Sequence, residues 1–384
     1  TGGGCPHILA EPQRTNLLTY SEDFSASAGW DKANLTVTSD SINSLDGTLN
    51  ADLLLETSTN DRHIFWDAQS VSTGECTVSI FLKKQNNRYV FFQSGVDNAS
   101  KRYGIIYDFD GEVVTDTNSK GSPTNTSYKV EQHINGWVRL SITQTNTSGQ
   151  VYLICGGSDA AIPTYNVQKE PVYTGNASNG FYAWGAQLEE GSYATSYIPT
   201  SGSTVTRNQD IFTRDGIGSL INSTEGVLFV EMAALTSIVT VNNWLTISDG
   251  TANNQVAVGF ETNAKTTALI KVGGSTAGFI TFSGDYSQNK KIAFKWKEND
   301  FALWIDGVEV GVDTSGATLS SGTLNSLQFN WGAGGNYTNA KVKQLQVYKT
   351  ALTDEQLLQL TGESGTDFYE SYAEMASALT YTIQ

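Results

Sequence analysis

The segment of the sequence best suited to hold a ligand is residues 330–339, NWGAGGNYTN. It combines two aromatic rings with three side-chain amides, which belong to Trp331, Tyr337, Asn330, Asn336 and Asn339. Aromatic rings bury apolar area directionally, a few placed polar groups fix orientation, and glycines let a ligand approach the backbone closely. These residue types predict non-covalent recognition of a polyhydroxylated ligand such as a sugar.

Aromatic residues in other turn-rich stretches offer the same chemistry. Further candidates are Tyr165 and Tyr173 in PTYNVQKEPVYTG, and Trp244 after two asparagines. For Trp331 an alternative stays open, because Leu327, Phe329 and Trp331 alternate along the chain. Such alternation also fits a strand that ends with its ring pointing into a core.

Groups suited to catalysis are sparse. A glycosidase needs two carboxylates flanking one bond, and the nearest match, Glu298 and Asp300, lies in a turn. Asp306 and Glu309 straddle an Asp-Gly hairpin, where Asp306 is better explained as a turn former. The chain has three histidines and no G-x-S-x-G stretch. We therefore predict a protein that is not an enzyme.

A calcium site is a weaker expectation. Asp108 and Asp110, in DFDGE, place two carboxylates on one face, and hard oxygen ligands suit calcium. The third oxygen ligand of an EF-hand loop is missing, so a hairpin turn is the competing interpretation.

Charge and cysteine content exclude several classes. The formal net charge is −16, from 23 basic and 39 acidic residues, and so acidic a surface makes nucleic acid a poor partner. The three cysteines are an odd number without C-x-x-C spacing, so neither a disulfide framework nor a zinc site is indicated. No apolar run is long enough for a membrane span, and we expect no membrane insertion. Thr1 in place of a methionine predicts a fragment or a processed product.

Short alternating strands must position these groups. In the first half they are predicted around Val78–Lys83, Tyr89–Gln93, Tyr103–Phe109, Glu112–Thr115, Val138–Thr143 and Val151–Cys155. Residues 180–190 are predicted as a closing strand, in which Phe181, Ala183 and Gly185 alternate with Tyr182, Trp184 and Ala186. Strands with turn signals about every ten residues are typical of an antiparallel sandwich. Trp30, Trp66, Trp137 and Trp184 are expected mostly to fill its core.

The second half repeats the pattern and ends in a helix. Strands are predicted at 292–297, 301–305, 308–312 and 341–348. Thr353 as N-cap and Gln356 form a capping box, Leu352 and Leu357 a hydrophobic staple, and Gly362 a stop. In the tail, apolar residues at helical spacing predict an amphipathic docking or oligomerisation helix over residues 367–379; a helix folded back on its own sandwich is the alternative.

Two stretches of the second half carry a resemblance to a known fold family. FKWKENDFALWIDGVEVG (294–311) and KVKQLQVYKTALTDEQLLQLTG (341–362) resemble the end of a concanavalin A/laminin G-like jelly roll. The first half is similar to carbohydrate-binding-type jelly rolls. Its opening EPQRTNLLTYSEDFSASAGW, its closing AWGAQLEEGSYATSYIPTSG and the tail SYAEMASALTYTIQ resemble phrases of bacteriophage tail-fibre and other virion surface proteins.

The fold class expected from pattern and resemblance together is all-β, with two consecutive antiparallel jelly-roll β-sandwiches and a short C-terminal helix. The predicted domains are a carbohydrate-binding-type jelly roll at 1–200, a linker at 201–207, a laminin G-like jelly roll at 208–362 and an assembly tail at 363–384. Related modules carry a structural calcium near positions that correspond to Glu11 and Gln187.

The resemblance implies a non-enzymatic fibre or receptor-binding component on a virion surface. Its implied partners are a bacterial surface polysaccharide and other virion proteins, and the implied state is a homo-oligomer, with a trimer favoured. Two alternatives stay open: a carbohydrate-binding fragment of a secreted polysaccharide-degrading enzyme, and a structural decoration protein that binds no glycan.

Overall fold

The computed structural model describes residues 7–236, 242–262 and 264–362. These residues form two compact units. The first unit spans residues 13–208, and the second combines residues 209–362 with residues 7–12 from near the N-terminus. Within the described ranges no helix is both long and apolar enough to cross a membrane.

The described residues contain 28 strands and one α-helix. In chain order the strands are β1 (Ile8–Ala10), β2 (Arg14–Asn16), β3 (Asp31–Ala33), β4 (Leu35–Asn43), β5 (Leu49–Glu56), β6 (Asn60–Asp61), β7 (Ile64–Ser70), β8 (Gly74–Lys84), β9 (Tyr89–Val96), β10 (Lys101–Asp108), β11 (Val113–Lys120), β12 (Ser127–Gln132), β13 (Trp137–Asn146), β14 (Gln150–Ser158), β15 (Tyr173–Thr174), β16 (Gly180–Glu190), β17 (Val205–Arg207), β18 (Thr213–Asp215), β19 (Glu225–Ala234), β20 (Asn243–Ser248), β21 (Gln255–Glu261), β22 (Lys265–Val272), β23 (Ser275–Ser283), β24 (Lys290–Lys297), β25 (Phe301–Ile305), β26 (Val308–Asp313), β27 (Ser326–Gln328) and β28 (Ala340–Tyr348). The helix, α1, is Asp354–Thr361, and short 3-10 turns span Ile134–Gly136 and Gly218–Leu220.

The first unit is a sandwich of two six-stranded antiparallel sheets. Their strand orders are β11-β10-β9-β14-β7-β3 and β12-β13-β8-β16-β5-β4. In β8, Val78, Ile80 and Leu82 point into the core between the sheets, while Phe81 packs in a separate cluster. This alternation is what a strand with one face on a core requires. The strands predicted for this half are confirmed.

The closing strand β16 departs from the alternation predicted for it. A bulge interrupts its pairing with β8 between Trp184 and Gln187, where Gly185 has a φ of +63°. Ala183 and Ala186 therefore both pack in the core, although they are three residues apart. A bulge adds one residue to a strand and so moves every later side chain to the other face.

The tryptophans of the first unit fill its core less than predicted. Trp30 lies in the cluster between the sheets. Trp137 and Trp184 are buried with Phe81 in a separate cluster, and Trp66 is partly buried in another. Both sheets thus have apolar residues on the face away from the core, because loops and neighbouring side chains cover those faces.

The second unit is also a sandwich of two six-stranded antiparallel sheets. Their orders are β1-β28-β19-β24-β25-β26 and β18-β27-β20-β21-β22-β23, and we call the second one the front sheet. The core between them includes Phe294, Trp296, Phe301 and Leu303, as the alternation in the sequence predicts. The strands predicted for this half are confirmed.

The edge strand β1 comes from the N-terminal end of the chain. Ile8–Ala10 pairs with β28 of the second unit, and Ala10 is buried in that unit's core. These residues lie within the predicted domain 1–200, whereas in the structure they belong to the second unit. Residues 201–207, predicted as a linker, include β17, which pairs with β2 in the first unit.

The helix α1 begins and ends as the sequence predicts. Thr353 caps it, and the capping box with Gln356 is complete. Leu352 and Leu357 are buried together against Phe229 and Trp304, on the face of their sheet away from the core. Gly362 is the C-cap. The predicted tail helix, 367–379, lies outside the described residues.

The predicted fold class is confirmed: the described residues are all-β, with two antiparallel sandwiches and one short helix that follows β28. Two cysteines, Cys76 and Cys155, are free and buried in the first core. Burial raises the pKa of the Cys76 thiol to about 12, so the thiol is protonated and unreactive at neutral pH.

Candidate functional site

The predicted binding segment 330–339 lies against the outer face of the front sheet. In β20, Leu245 and Ile247 point into the core, so Trp244, Thr246 and Ser248 point outward. Thr246 Oγ1 donates to the Asn330 carbonyl at 3.0 Å, and Ser248 Oγ donates to the Gly332 carbonyl at 3.4 Å.

The far end of the segment returns to the same strand. Thr338 Oγ1 donates to the Trp244 carbonyl at 2.5 Å, and the Trp244 backbone N–H donates to the Asn336 carbonyl at 3.2 Å. Hydrogen bonds at both ends hold the segment in one conformation, so its side chains need little ordering when a ligand binds.

Trp331 packs on an aromatic floor and keeps part of its surface in solvent. Its ring centre lies 4.7 Å from that of Trp244, with the ring planes tilted by 58°. Ala257 and Leu269 complete this apolar cluster. The inward-pointing alternative for Trp331 is wrong: Phe329 enters the core, but β27 ends at Gln328 and Trp331 joins the outer cluster instead.

A lysine borders this ring. The Lys271 Nζ atom lies 5.7 Å from the centre of the Trp331 ring, within the distance of a cation–π contact. Within the described part of the chain Lys271 has no ion-pair partner. The partly buried ring of Trp331 therefore lies next to a lysine ammonium group that no carboxylate of the described residues pairs with.

Beneath the segment lies a buried glutamine without partners. Gln255, on β21, is 0% exposed, and neither its Oε1 nor its Nε2 has a hydrogen-bond partner among the described residues. A side chain on Gly332 would clash here, because an added Cβ would lie 2.3 Å from Gln255 Oε1; the φ of Gly332 is +71°. A buried amide with no partner costs stability.

The other predicted residues of the segment occupy three environments. Asn330 is buried, and its Oδ1 accepts a hydrogen bond from the Gly334 N–H. Asn336 is exposed, Tyr337 is partly buried, and Asn339 is partly buried with an Oδ1 that has no partner among the described residues. Asn330 therefore shapes the segment, whereas Asn336 and Tyr337 offer groups to solvent.

Tyr173 does not belong to this site, which corrects the prediction for that residue. It lies in the first unit, is 7% exposed, and its hydroxyl donates to Glu56 Oε1 at 2.5 Å. Its ring packs 4.8 Å from the ring of His63. A tyrosine with both ring and hydroxyl engaged is not available as a platform for a sugar.

An ionised acid lies on the turn that precedes Gln255. Burial raises the pKa of Asp249, but hydrogen bonds from Thr251 and Asn254 outweigh that effect and hold the pKa below its ordinary value. Both oxygens of Asp249 are occupied by donors of its own turn. This carboxylate therefore stabilises the turn at the edge of the site.

The predicted metal ligands of the first unit are already engaged. Asp108 accepts hydrogen bonds from Arg88 at both carboxylate oxygens, and its pKa is lowered chiefly by that guanidinium. Asp110 pairs with Lys84 at 2.5 Å. A calcium ion at this turn has to displace two cationic side chains, so these residues fit the hairpin interpretation better than a metal site.

Glu11 and Gln187 lie in different units. Glu11 is buried in the second unit, where its backbone N–H donates to Asp210. Gln187 is buried in the first, where its Oε1 accepts from the Ile198 N–H. In the part of the chain that the structure describes, no group of three or more His, Cys, Asp and Glu side chains could hold a metal ion.

Sequence reasoning missed Gln255 and Lys271. They are partners across the strand pair β21–β22, and the alternation of QVAVGF predicts that Gln255 points away from the core. The alternation in the sequence therefore predicts the direction of Gln255, but it cannot show which loop covers the outward face of the sheet.

No family model and no curated protein matches the chain. Solved structures are distantly similar to parts of it. The CBM40 domain of the Ruminococcus gnavus IT-sialidase is 13% identical, with 39% of this chain and 98% of that chain covered and a TM-score of 0.33. A SAP-like pentraxin from Limulus polyphemus is 13% identical, with 38% and 73% covered and a TM-score of 0.30. Sheep galectin-11 is 8% identical, with 37% and 99% covered and a TM-score of 0.26. The likeness concerns the fold and assigns no ligand to this chain.

Proposed function

We propose that this chain is a non-enzymatic glycan-recognition protein. Its proposed binding site is the outer face of the front sheet around Trp331, with Asn336 and Tyr337 of the same segment, which we call the Trp331 face. The ligand class is a bacterial surface polysaccharide, and the setting is a virion surface, where the chain serves as a fibre or receptor-binding component of a bacteriophage. The setting rests on the resemblance of the sequence to tail-fibre proteins, and the site rests on geometry.

The observation that carries the proposal is the environment of Trp331. The segment is fixed at both ends by side chains of β20, and the ring is partly exposed on an apolar floor. Sugars bind to such aromatic surfaces through their apolar faces, while nearby polar groups hold their hydroxyls. Asn336 and Tyr337 supply such groups from the same segment.

Single sugar sites bind weakly, so the proposal includes a homo-oligomer. Several copies held together raise the overall affinity through effective concentration, without any new contact. A trimer is the state that the resemblance favours, and other virion proteins are the expected partners within the particle.

The test is binding of the purified chain to an array of bacterial and algal polysaccharides. We expect selective binding that is lost in Trp331→Ala and kept in Tyr128→Ala. Tyr128 is a matched control because its aromatic ring is 44% exposed on β12 of the first unit. No binding by the folded protein, or equal loss in both variants, contradicts the proposal.

Two further arms of this experiment address the remaining predictions. Light scattering measures the oligomeric state: a glycan-binding monomer favours the fragment of a polysaccharide-degrading enzyme, and an oligomer without glycan affinity favours the decoration protein. Binding with and without a chelator tests calcium. Loss of binding that added calcium restores supports a bound ion.

A further inference from the structure

We propose that the glycan bound at the Trp331 face is anionic, and that Lys271 binds its carboxylate or sulfate group. This inference rests on the proposed function, because it concerns the ligand of the same site. It deepens that proposal by specifying a charge.

Lys271 is placed to act on whatever contacts Trp331. Lys271 follows Leu269 by two residues on β22 and lies opposite Gln255 of β21, so its side chain is on the outward face of the front sheet. Its ammonium group lies 5.7 Å from the centre of the Trp331 ring. A sugar that stacks on Trp331 therefore comes within reach of this charge.

The charge of Lys271 is not neutralised inside the protein. No carboxylate lies within ion-pair distance of Nζ among the residues that the structure describes, and no acceptor there takes a hydrogen bond from it. Three other lysines of this unit are paired with carboxylates: Lys290 with Asp306, Lys295 with Asp300 and Lys343 with Glu231.

The acid on the turn before Gln255 does not supply the missing partner. Asp249 is bonded to Thr251 and Asn254 of its own turn. In a chain with a net charge of −16, a partly buried lysine left without a carboxylate beside an aromatic platform fits an anion brought by the ligand.

The buried amide of Gln255 supports the same location. Gln255 is the cross-strand neighbour of Lys271, and both its polar atoms lack partners among the described residues. Each unsatisfied buried polar group in a native protein has an explanation, such as an ordered water or a role in function. Gln255 and Lys271 are thus two neighbouring polar side chains on the outer face of the front sheet, and Lys271 lies next to Trp331.

Short ligands are the right probes, because they report the contribution of Lys271 without the repulsion between a long polyanion and the net negative charge of the chain. At physiological salt the Debye length is about 8 Å. Distant charges of the protein are therefore screened from a short ligand, and the charge of Lys271 dominates its local electrostatic interaction. The probes are a galacturonic-acid trisaccharide, its methyl ester as the neutral counterpart, and a sulfated galactose trisaccharide with its unsulfated form. The two anionic probes distinguish carboxylate from sulfate.

The variants are Lys271→Met, which keeps the apolar stem, Lys271→Arg, which keeps the charge, and Lys265→Met as a control on the same strand. Calorimetric titration measures each dissociation constant, and thermal unfolding checks that each variant folds. We expect Lys271→Met to weaken binding of an anionic probe about tenfold and to leave its neutral form unchanged. Lys271→Arg and Lys265→Met should bind as the unmodified chain does.

Two results overturn the inference. One is equal affinity of the unmodified chain for each anionic probe and its neutral form. The other is unchanged affinity of folded Lys271→Met for the anionic probes. If neutral sugars bind and Trp331→Ala abolishes that binding, the proposed function survives and only the charge specificity fails. If no glycan binds at all, the two proposals fail together.

Discussion

Replacing Gln255 with methionine should make the second unit more stable. Methionine has nearly the same shape as glutamine and no amide to leave unbonded. Gln255 is 0% exposed with both polar atoms unpaired. Each unsatisfied buried group costs about 1–3 kcal/mol, and an apolar replacement of the same shape removes that cost. Taking the lower part of this range, we expect a gain of about 1–2 kcal/mol in the free energy of unfolding.

The matched control is Gln93 in the first unit, which is also 0% exposed but fully bonded. Its Nε2 donates to the carbonyls of Gln168 and Lys169, and its Oε1 accepts from Arg102 at 2.9 Å. In Gln93→Met the guanidinium of Arg102 and the carbonyl oxygens of Gln168 and Lys169 each lose one hydrogen bond. We expect it to cost about 3 kcal/mol, because a hydrogen bond to a charged group is worth about 1.5–3 kcal/mol.

The assay is urea unfolding of the full chain, with hydrogen exchange of peptides from β21 and β9 reporting on each unit separately. Because the chain has two units, a single two-state transition is not assumed. A gain of this size shifts the thermal midpoint of a unit of about 150 residues by roughly 2–8 °C. Loss of stability in Gln255→Met would mean that the amide has a partner, such as a buried water, and would refute the reasoning.

Three further perturbations test other parts of the structure. Gly332→Ala should destabilise the second unit by at least about 1 kcal/mol more than Gly335→Ala. Both glycines have positive φ, but an added Cβ meets Gln255 only at Gly332. Equal costs of the two substitutions in chemical unfolding would contradict this prediction. Burial raises the pKa of Asp52 to about 6 from an ordinary value of 3.8, so its contribution to stability is full below about pH 4 and is lost as the pH rises through 6. The stability of Asp52→Asn relative to the unmodified chain should therefore rise by up to about 3 kcal/mol between pH 4 and pH 7, and a flat difference would refute the assignment. Thr353→Ala should cost about 1 kcal/mol through loss of the cap on α1, measured by urea unfolding, and no change would mean that the capping box contributes nothing.

Local patterns predicted most of the fold. Strands such as β8 and β24 could be predicted because alternation and turn dipeptides act over a few residues. The cap of α1 was correct for the same reason, since Thr353 and Gln356 are three residues apart. The bulge at Gly185 could not be predicted, because it depends on how β16 pairs with a strand about a hundred residues earlier.

The site was predicted in part. The composition of residues 330–339 pointed to the segment, but exposure is a property of the assembled fold. Tyr173 illustrates this limit: its turn-rich context resembled that of Trp331, yet Glu56 and His63 enclose it. Gln255 and Lys271 became recognisable only once strand pairing placed them beside Trp331.

The position of β1 has a consequence for how the chain folds. Residues 13–208 are inserted between this strand and the rest of the second unit, and β1 pairs with β28, close to the opposite end of the described sequence. During synthesis the first unit can fold completely, whereas the second waits for a pairing of very high sequence separation, which is expected to form late. Until β1 docks, one edge of β28 offers unpaired backbone groups to other chains. A fragment that begins at residue 209 keeps that edge open permanently, and we expect it to aggregate unless residues 7–12 are grafted onto it.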